Sequence, residues 1–143
     1  MSNQPTAEEA VNSLVMEVRI LEGTYNELSA RQNLLERALL ESRAALDAIK
    51  GLGEKPSDEV LVQIGGGAML RSPAPSPDRV LVSIGTGVVI EKPRAEALAI
   101  LETRVKDIER TVISISNQRN EIAERLNADR SAINSLIGNQ SEE

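Results

Sequence analysis

Two similar stretches near the middle of the chain decide the fold. Residues 60–70 read Val-Leu-Val-Gln-Ile-Gly-Gly-Gly-Ala-Met-Leu, and residues 80–90 read Val-Leu-Val-Ser-Ile-Gly-Thr-Gly-Val-Val-Ile. Each combines a β-branched run, a glycine-rich turn and a second apolar run, which is the pattern of a β-hairpin. The three prolines between them, in residues 71–79, exclude a helix there. The region 59–92 is therefore predicted to form two consecutive hairpins.

Helical patterns flank the hairpin region on both sides. Apolar residues recur alternately three and four positions apart from Val11 to Ile49, and again from Leu98 to Leu136. This heptad spacing, sustained over several heptads, favours a coiled coil over an isolated helix. Helices are predicted over residues 6–50 and 94–137.

Local signals mark the ends of the predicted helices. Thr6 and Glu9 have the spacing of a capping box, which satisfies main-chain N–H groups at a helix start. Gly51 and Gly138 each follow shortly after the last apolar seam residue, as a C-terminal stop signal would. The helices are accordingly expected to end at Lys50 and Ile137.

The two apolar seams have the same length, with twelve positions from 11 to 49 and twelve from 98 to 136. If the chain folds back at the hairpins, Ile49 pairs with Leu98 and Tyr25 pairs with Ile122. The predicted fold class is therefore α+β, a long antiparallel two-helix coiled coil with two central β-hairpins, in one domain over residues 1–143. Association of these helices between chains is the alternative.

A few seam positions are polar. In the predicted pairing Gln32 lies near Ile115, Arg119 near Leu28, and Asp129 on the same helix as Arg119 at the level of Val18. The polar residues therefore fall at different levels, where each weakens the seam locally and helps to fix its register.

The predicted hairpins carry apolar residues on both faces, and their strand edges are unpaired. A lone hairpin is marginally stable in water, and exposed edges invite strand pairing. Other chains are therefore expected to cover the hairpins, most simply by closing the strands into a shared β-barrel. The expected oligomerisation residues are Val60, Leu61, Val62, Ile64, Met69, Leu70, Val80, Leu81, Val82, Ile84, Val88, Val89 and Ile90.

The composition narrows the possible functions. The net charge is −6 with basic residues scattered among acidic ones, so a nucleic-acid partner is not expected. Cys and His are absent, which removes disulfides, thiol metal sites and the commonest general base. The glycine-rich turns lack the lysine of a phosphate-binding loop. We therefore expect no enzyme activity, no catalytic residues, no metal and no cofactor.

The sequence has neither the pattern of a signal peptide nor an apolar run of the roughly 20 residues that a membrane-spanning helix needs. The expected location is the cytoplasm, without a membrane.

Several apolar residues near the ends of the helices lie outside the seam, namely Val15, Met16, Ile20 and Ile137. A two-helix structure offers them no obvious partner. Two interpretations stay open: the residues widen the seam, or they form an exposed apolar surface that binds other apolar surfaces.

The chain as a whole resembles the alpha-type subunits of the archaeal prefoldin family. The resemblance rests on the order helix, hairpin, hairpin, helix and on the repeated Val-Leu-Val-x-Ile-Gly-x-Gly runs at 60–67 and 80–87. Two hairpins between equal helices distinguish alpha-type from beta-type subunits, which carry one.

The resemblance implies an ATP-independent chaperone of the holdase type. It implies a hetero-hexamer of two alpha and four beta subunits whose hairpins build a double β-barrel. Non-native client polypeptides would be held at the coiled-coil tips and delivered to a group II chaperonin. The tip residues to which this role is carried over are Val11, Leu14, Val15, Val18, Ile133, Leu136 and Ile137. A structural oligomerisation scaffold without clients is the alternative function.

Overall fold

The computed structural model describes residues 4–54 and 59–141. Residues 1–3, 55–58 and 142–143 of the expected single domain lie outside the described residues, and that expectation stays a prediction. The element order is α1 Ala7–Glu54, β1 Glu59–Gly65, β2 Ala68–Pro73, β3 Arg79–Gly85, β4 Val88–Pro93 and α2 Arg94–Ser141. The predicted order of helix, two hairpins and helix is confirmed.

The capping box forms at the start of α1. The main-chain N–H of Glu9 donates to the Thr6 hydroxyl, and the main-chain N–H of Thr6 donates to the Glu9 carboxylate, both at 3.2 Å. Two N–H groups that a helix start leaves without partners are thereby satisfied.

The predicted C-terminal ends of both helices were wrong. α1 continues past Lys50 to Glu54, and α2 continues past Ile137 to Ser141. Gly51 and Gly138 lie inside the helices, and neither has the positive φ of a C-terminal glycine stop. A glycine inside a helix costs only about 1 kcal/mol relative to alanine, so it does not by itself end one.

The two hairpins have the same register. Val62 pairs with Leu70 across β1 and β2, and Val82 pairs with Ile90 across β3 and β4. Each hairpin turns through two residues of positive φ, Gly66–Gly67 in the first and Thr86–Gly87 in the second. Positive φ at both central residues is the requirement of a type I′ turn, whose twist matches that of the strands.

The chain divides into two compact units. We call the described residues up to Glu36 and from Arg110 onward the terminal unit, and Arg37–Glu109 the central unit. The buried apolar residues of the terminal unit are Leu28, Ile115 and Leu126. Those of the central unit are Leu46, Val82, Ala97 and Val105. Each unit therefore has a thin core, as expected for a chain with a single aromatic residue.

Candidate functional site

In the terminal unit, α1 and α2 lie side by side in the antiparallel sense. The Arg125 guanidinium donates to the Glu17 carboxylate at 2.9 Å, and Arg130 donates to Glu22 at 2.7 Å. Low-numbered residues of α1 thus meet high-numbered residues of α2, which agrees with the predicted fold-back. The hydrogen bond from Glu17, followed by the charges of Glu17 and Asp129, raises the pKa of Arg125 above its ordinary value.

The central unit shows the same antiparallel pairing. Arg43 forms an ion pair with Glu109 at 2.6 Å, and Lys50 forms one with Glu102 at 3.8 Å. Ion pairs this exposed add little free energy of folding. Their value here is that they record the register of the two helices.

The seven residues predicted to bind clients all lie in the terminal unit. Ile137 has 51% of its surface exposed. The other six are half-buried along the seam: Val11, Leu14, Val15, Val18, Ile133 and Leu136. A client in contact with the closed helix pair would therefore meet the edges of these six side chains and not their whole surface.

Two more exposed apolar residues lie beside this set on α1. Met16 is 64% exposed and Ile20 is 66% exposed. Residues four positions apart on a helix share a face, so the two form one patch. Their position outside the heptad seam was the signal that marked them in the sequence, although the seam residues were preferred as candidates there.

The polar seam residues meet, contrary to the prediction that they fall at different levels. Arg119 donates to the Gln32 side-chain oxygen at 2.8 Å and to the Tyr25 hydroxyl at 3.0 Å. Its guanidinium carbon lies 4.8 Å from the centroid of the Tyr25 ring, a cation–π contact. Gln32 in turn donates to Glu36 at 3.1 Å. The arginine side chain is long enough to span the levels that separate the α-carbons.

Asp129 is a buried carboxylate in the same unit. It is 4% exposed, and its nearest cationic partner, Arg125, lies 3.5 Å from one carboxylate oxygen. The other oxygen, Oδ2, is buried and has no hydrogen-bond partner among the described residues. A buried polar atom without a partner lowers stability.

The β-hairpins expose most of their apolar side chains. Nine of the thirteen predicted oligomerisation residues are 46–72% exposed: Leu61, Val62, Ile64, Met69, Leu70, Leu81, Ile84, Val88 and Val89. Val60, Val80 and Ile90 are half-buried, and Val82 is buried at 4% exposure. An apolar surface of this extent on so small an element marks an interaction site.

The second hairpin is attached to the helices of the central unit. The Arg104 guanidinium of α2 donates to the main-chain carbonyl of Ser83 in β3. Arg94 donates through its main-chain N–H to the Asp78 carbonyl at 2.9 Å, and its side chain donates to the Ile49 carbonyl at 3.3 Å. These bonds join α2, the start of β3 and α1.

No group of three or more metal-ligating side chains occurs in the part of the chain that the structure describes. Within the same residues, no helix combines the length and the apolar character needed to cross a membrane. The geometry therefore directs attention to the apolar surfaces of the terminal unit and the hairpins.

A family model described as "Prefoldin subunit" matches residues 21–138, which include both hairpins and most of both helices. The chain belongs to the prefoldin family. The members of this family are chaperones and not enzymes, and this prefoldin-family chain is accordingly a subunit of an ATP-independent chaperone of the holdase type.

Named relatives agree with this assignment. The chain is 30% identical over 131 residues to "Prefoldin subunit alpha" of Nitrosopumilus maritimus, covering 92% of this chain and 90% of that protein. It is 37% identical over 112 residues to "Prefoldin subunit alpha" of Methanoregula boonei, covering 73% of each protein. The resemblance to archaeal alpha-type subunits is thereby confirmed, and these matches support the chaperone function rather than the scaffold alternative.

A solved structure confirms the fold class. A chain of filamentous PFD from Methanocaldococcus jannaschii, determined by cryo-electron microscopy, superimposes with a TM-score of 0.65 at 23% sequence identity. The match covers 79% of this chain and 94% of that one. At this identity the similarity establishes the fold, and assembly with other prefoldin subunits follows from the family.

Proposed function

We propose that this prefoldin-family chain holds non-native polypeptides on apolar side chains of the terminal unit. The observation that carries the proposal is the exposure of Met16, Ile20 and Ile137, each above one half. The half-buried residues of the predicted client site add their exposed edges. The full proposed contact set is Val11, Leu14, Val15, Met16, Val18, Ile20, Ile133, Leu136 and Ile137.

The physics of such a contact explains how a chaperone can work without nucleotide. A contact that buries about 200 Å² of apolar surface contributes on the order of 5 kcal/mol before entropic costs, at roughly 25 cal/mol per Å². Several subunits that contact one client together raise the overall affinity through effective concentration. Release then requires only competition from another surface, without an energy source.

We further propose the assembly and the route of the client. The chain joins beta-type subunits in a hexamer of two alpha and four beta subunits, with both hairpins contributing to a double β-barrel. The complex works in the cytoplasm, passes clients to a group II chaperonin, and carries out no catalysis. The exposed apolar residues of the hairpins support the assembly step, because they are better covered than left in water.

The experiment compares two double variants of the assembled complex. Met16→Ser with Ile20→Ser removes the α1 patch of the terminal unit. Leu34→Ser with Leu40→Ser is the matched control, since these residues are 65% and 68% exposed on the same helix but lie outside the proposed set. Light scattering measures how much of each complex prevents aggregation of a chemically denatured model protein on dilution.

The first variant should need several-fold more complex for the same protection, and the control should behave as the unmodified complex does. Equal protection by both variants would show that these exposed residues do not form the client site.

A further inference from the structure

The two hairpins have nearly the same sequence but different surroundings. Val62 and Val82 occupy equivalent positions in the repeat, yet Val62 is 46% exposed and Val82 is 4% exposed. The second hairpin is also bonded to α2 through Arg104 and Ser83. The first hairpin has the same need for cover and does not obtain it from the described part of its own chain.

The strand register shows which main-chain groups face outward. Proline has no N–H, so the Arg79–Pro93 and Glu59–Pro73 pairs are pairs that do not exchange hydrogen bonds. Such pairs alternate along an antiparallel ladder, and the register is regular as far as Ser83 and Gln63. The outward-facing residues are therefore Glu59, Leu61 and Gln63 in β1, and Arg79, Leu81 and Ser83 in β3.

Arg104 occupies one of these outward groups. It bonds to the carbonyl of Ser83, the outward-facing residue nearest the turn in β3. The equivalent residue of β1 is Gln63, whose carbonyl receives no side-chain hydrogen bond from the described residues. A neighbouring strand can therefore use the whole outer edge of β1, whereas on β3 it would have to displace Arg104.

The outer edge of β1 is complementary to itself. In an antiparallel pairing centred on Leu61, Leu61 lies opposite its copy and Glu59 lies opposite Gln63, so that no like charges face each other. All three residues face outward, so these pairs can exchange main-chain hydrogen bonds. On the other strand positions Val60 lies opposite Val62, and β-branched neighbours across strands stabilise a sheet.

We propose that a second copy of this chain adds to the outer edge of β1, forming a four-stranded sheet in which two first hairpins are joined about a two-fold axis. Arg104 closes the equivalent edge of β3 and so selects the first hairpin for this contact. The proposal rests on the proposed assembly with other prefoldin subunits and specifies the contact between identical chains. Twofold symmetric contacts of this kind are the commonest in homo-oligomers.

Cysteine cross-linking tests the pairing, because the natural chain contains no Cys. Leu61→Cys places two thiols opposite each other, at an α-carbon separation of about 5.5 Å that a disulfide spans. Leu81→Cys is the matched control at the equivalent position of the second hairpin. After mild oxidation of the purified full-length chain, non-reducing electrophoresis should show a covalent dimer for the first variant, at least several-fold more than for the second.

A second variant tests the role of Arg104. Arg104→Ala removes the bond to Ser83 and should raise the cross-linking of Leu81→Cys to that of Leu61→Cys. Lys106→Ala, which changes an exposed cation of the same helix, should leave it low.

Two results would overturn the proposal: equal or greater cross-linking at position 81 in the presence of Arg104, or no cross-linking at position 61. In the second case, mass measurement after addition of a beta-type partner shows whether the larger complex still forms. If it does, the proposed assembly stands and only the contact between identical chains is refuted.

Discussion

The buried Asp129 carboxylate makes the terminal unit less stable than its apolar seam alone would be. One carboxylate oxygen has no partner among the described residues, and the nearest charge on Arg125 lies 3.5 Å from the other. Asp129→Asn keeps the size of the side chain and removes its charge. Because a buried unpaired charge costs more than a neutral polar group, whose own penalty is about 1–3 kcal/mol, we expect Asn to increase the free energy of unfolding by about 1 kcal/mol.

Asp129→Leu should have the larger effect. It removes the remaining polar penalty and buries an apolar side chain, which contributes about 1.5–3 kcal/mol. Leucine is larger than aspartate, and strain from overpacking offsets about 1–3 kcal/mol of this gain. The expected net stabilisation is about 2 kcal/mol, and at about 2–4 °C per kcal/mol the midpoint of thermal unfolding should rise by about 4–8 °C.

Circular dichroism at 222 nm during heating measures this, at one fixed protein concentration because the chain assembles. Glu121→Leu is the control, since it replaces an exposed carboxylate of the same helix and should change the midpoint little. Hydrogen exchange adds a local measurement, because protection should increase in the terminal unit. If Asp129→Leu is no more stable than Glu121→Leu, the carboxylate is not a source of instability and the reasoning fails.

Three further predictions concern single contacts of the described residues. Arg119→Ala should lower the free energy of unfolding by about 2 kcal/mol, since charged hydrogen bonds contribute about 1.5–3 kcal/mol and the cation–π contact with Tyr25 is also lost; thermal unfolding measures it, and an unchanged midpoint would contradict it. Thr6→Ala should destabilise the start of α1 by about 1 kcal/mol through loss of the cap, seen as faster amide exchange confined to its first turn; faster exchange throughout the helix would point to another cause. Gly85→Val should destabilise the second hairpin by about 1–3 kcal/mol, because φ there is 110° although an added Cβ would meet no atom within 4 Å; guanidinium unfolding measures it, and no change would show that the turn tolerates another backbone conformation.

Local patterns made the elements predictable from the sequence. The heptad seam, the repeated β-branched runs and the paired turn glycines each depend on residues close together in the chain, and each formed as expected. The C-terminal ends of the helices were not predictable from Gly51 and Gly138. A glycine there is a weak signal, because the penalty of about 1 kcal/mol is small beside the main-chain hydrogen bonds that continue the helix.

The environment of individual side chains was less predictable. The α-carbon pairing placed Arg119 and Gln32 at different levels, but it ignored the length of the arginine side chain, which brings them to 2.8 Å. Asp129 was expected in the seam, but its burial and its unpartnered oxygen depend on how neighbouring side chains pack. Met16 and Ile20 were recognised as lying outside the seam, whereas their exposure could be measured only in the folded chain.

The duplicated hairpin shows why local sequence does not fix a side chain's surroundings. Positions 62 and 82 are both valine, in the same register and at the same distance from the same type of turn. What differs is which hairpin lies against α2, where Arg104 provides a donor for Ser83. Substituting Arg104 should therefore change the second hairpin without altering any residue in it. If Val82 kept its protection and Leu81→Cys stayed monomeric in Arg104→Ala, the difference between the hairpins would have to arise from apolar packing alone.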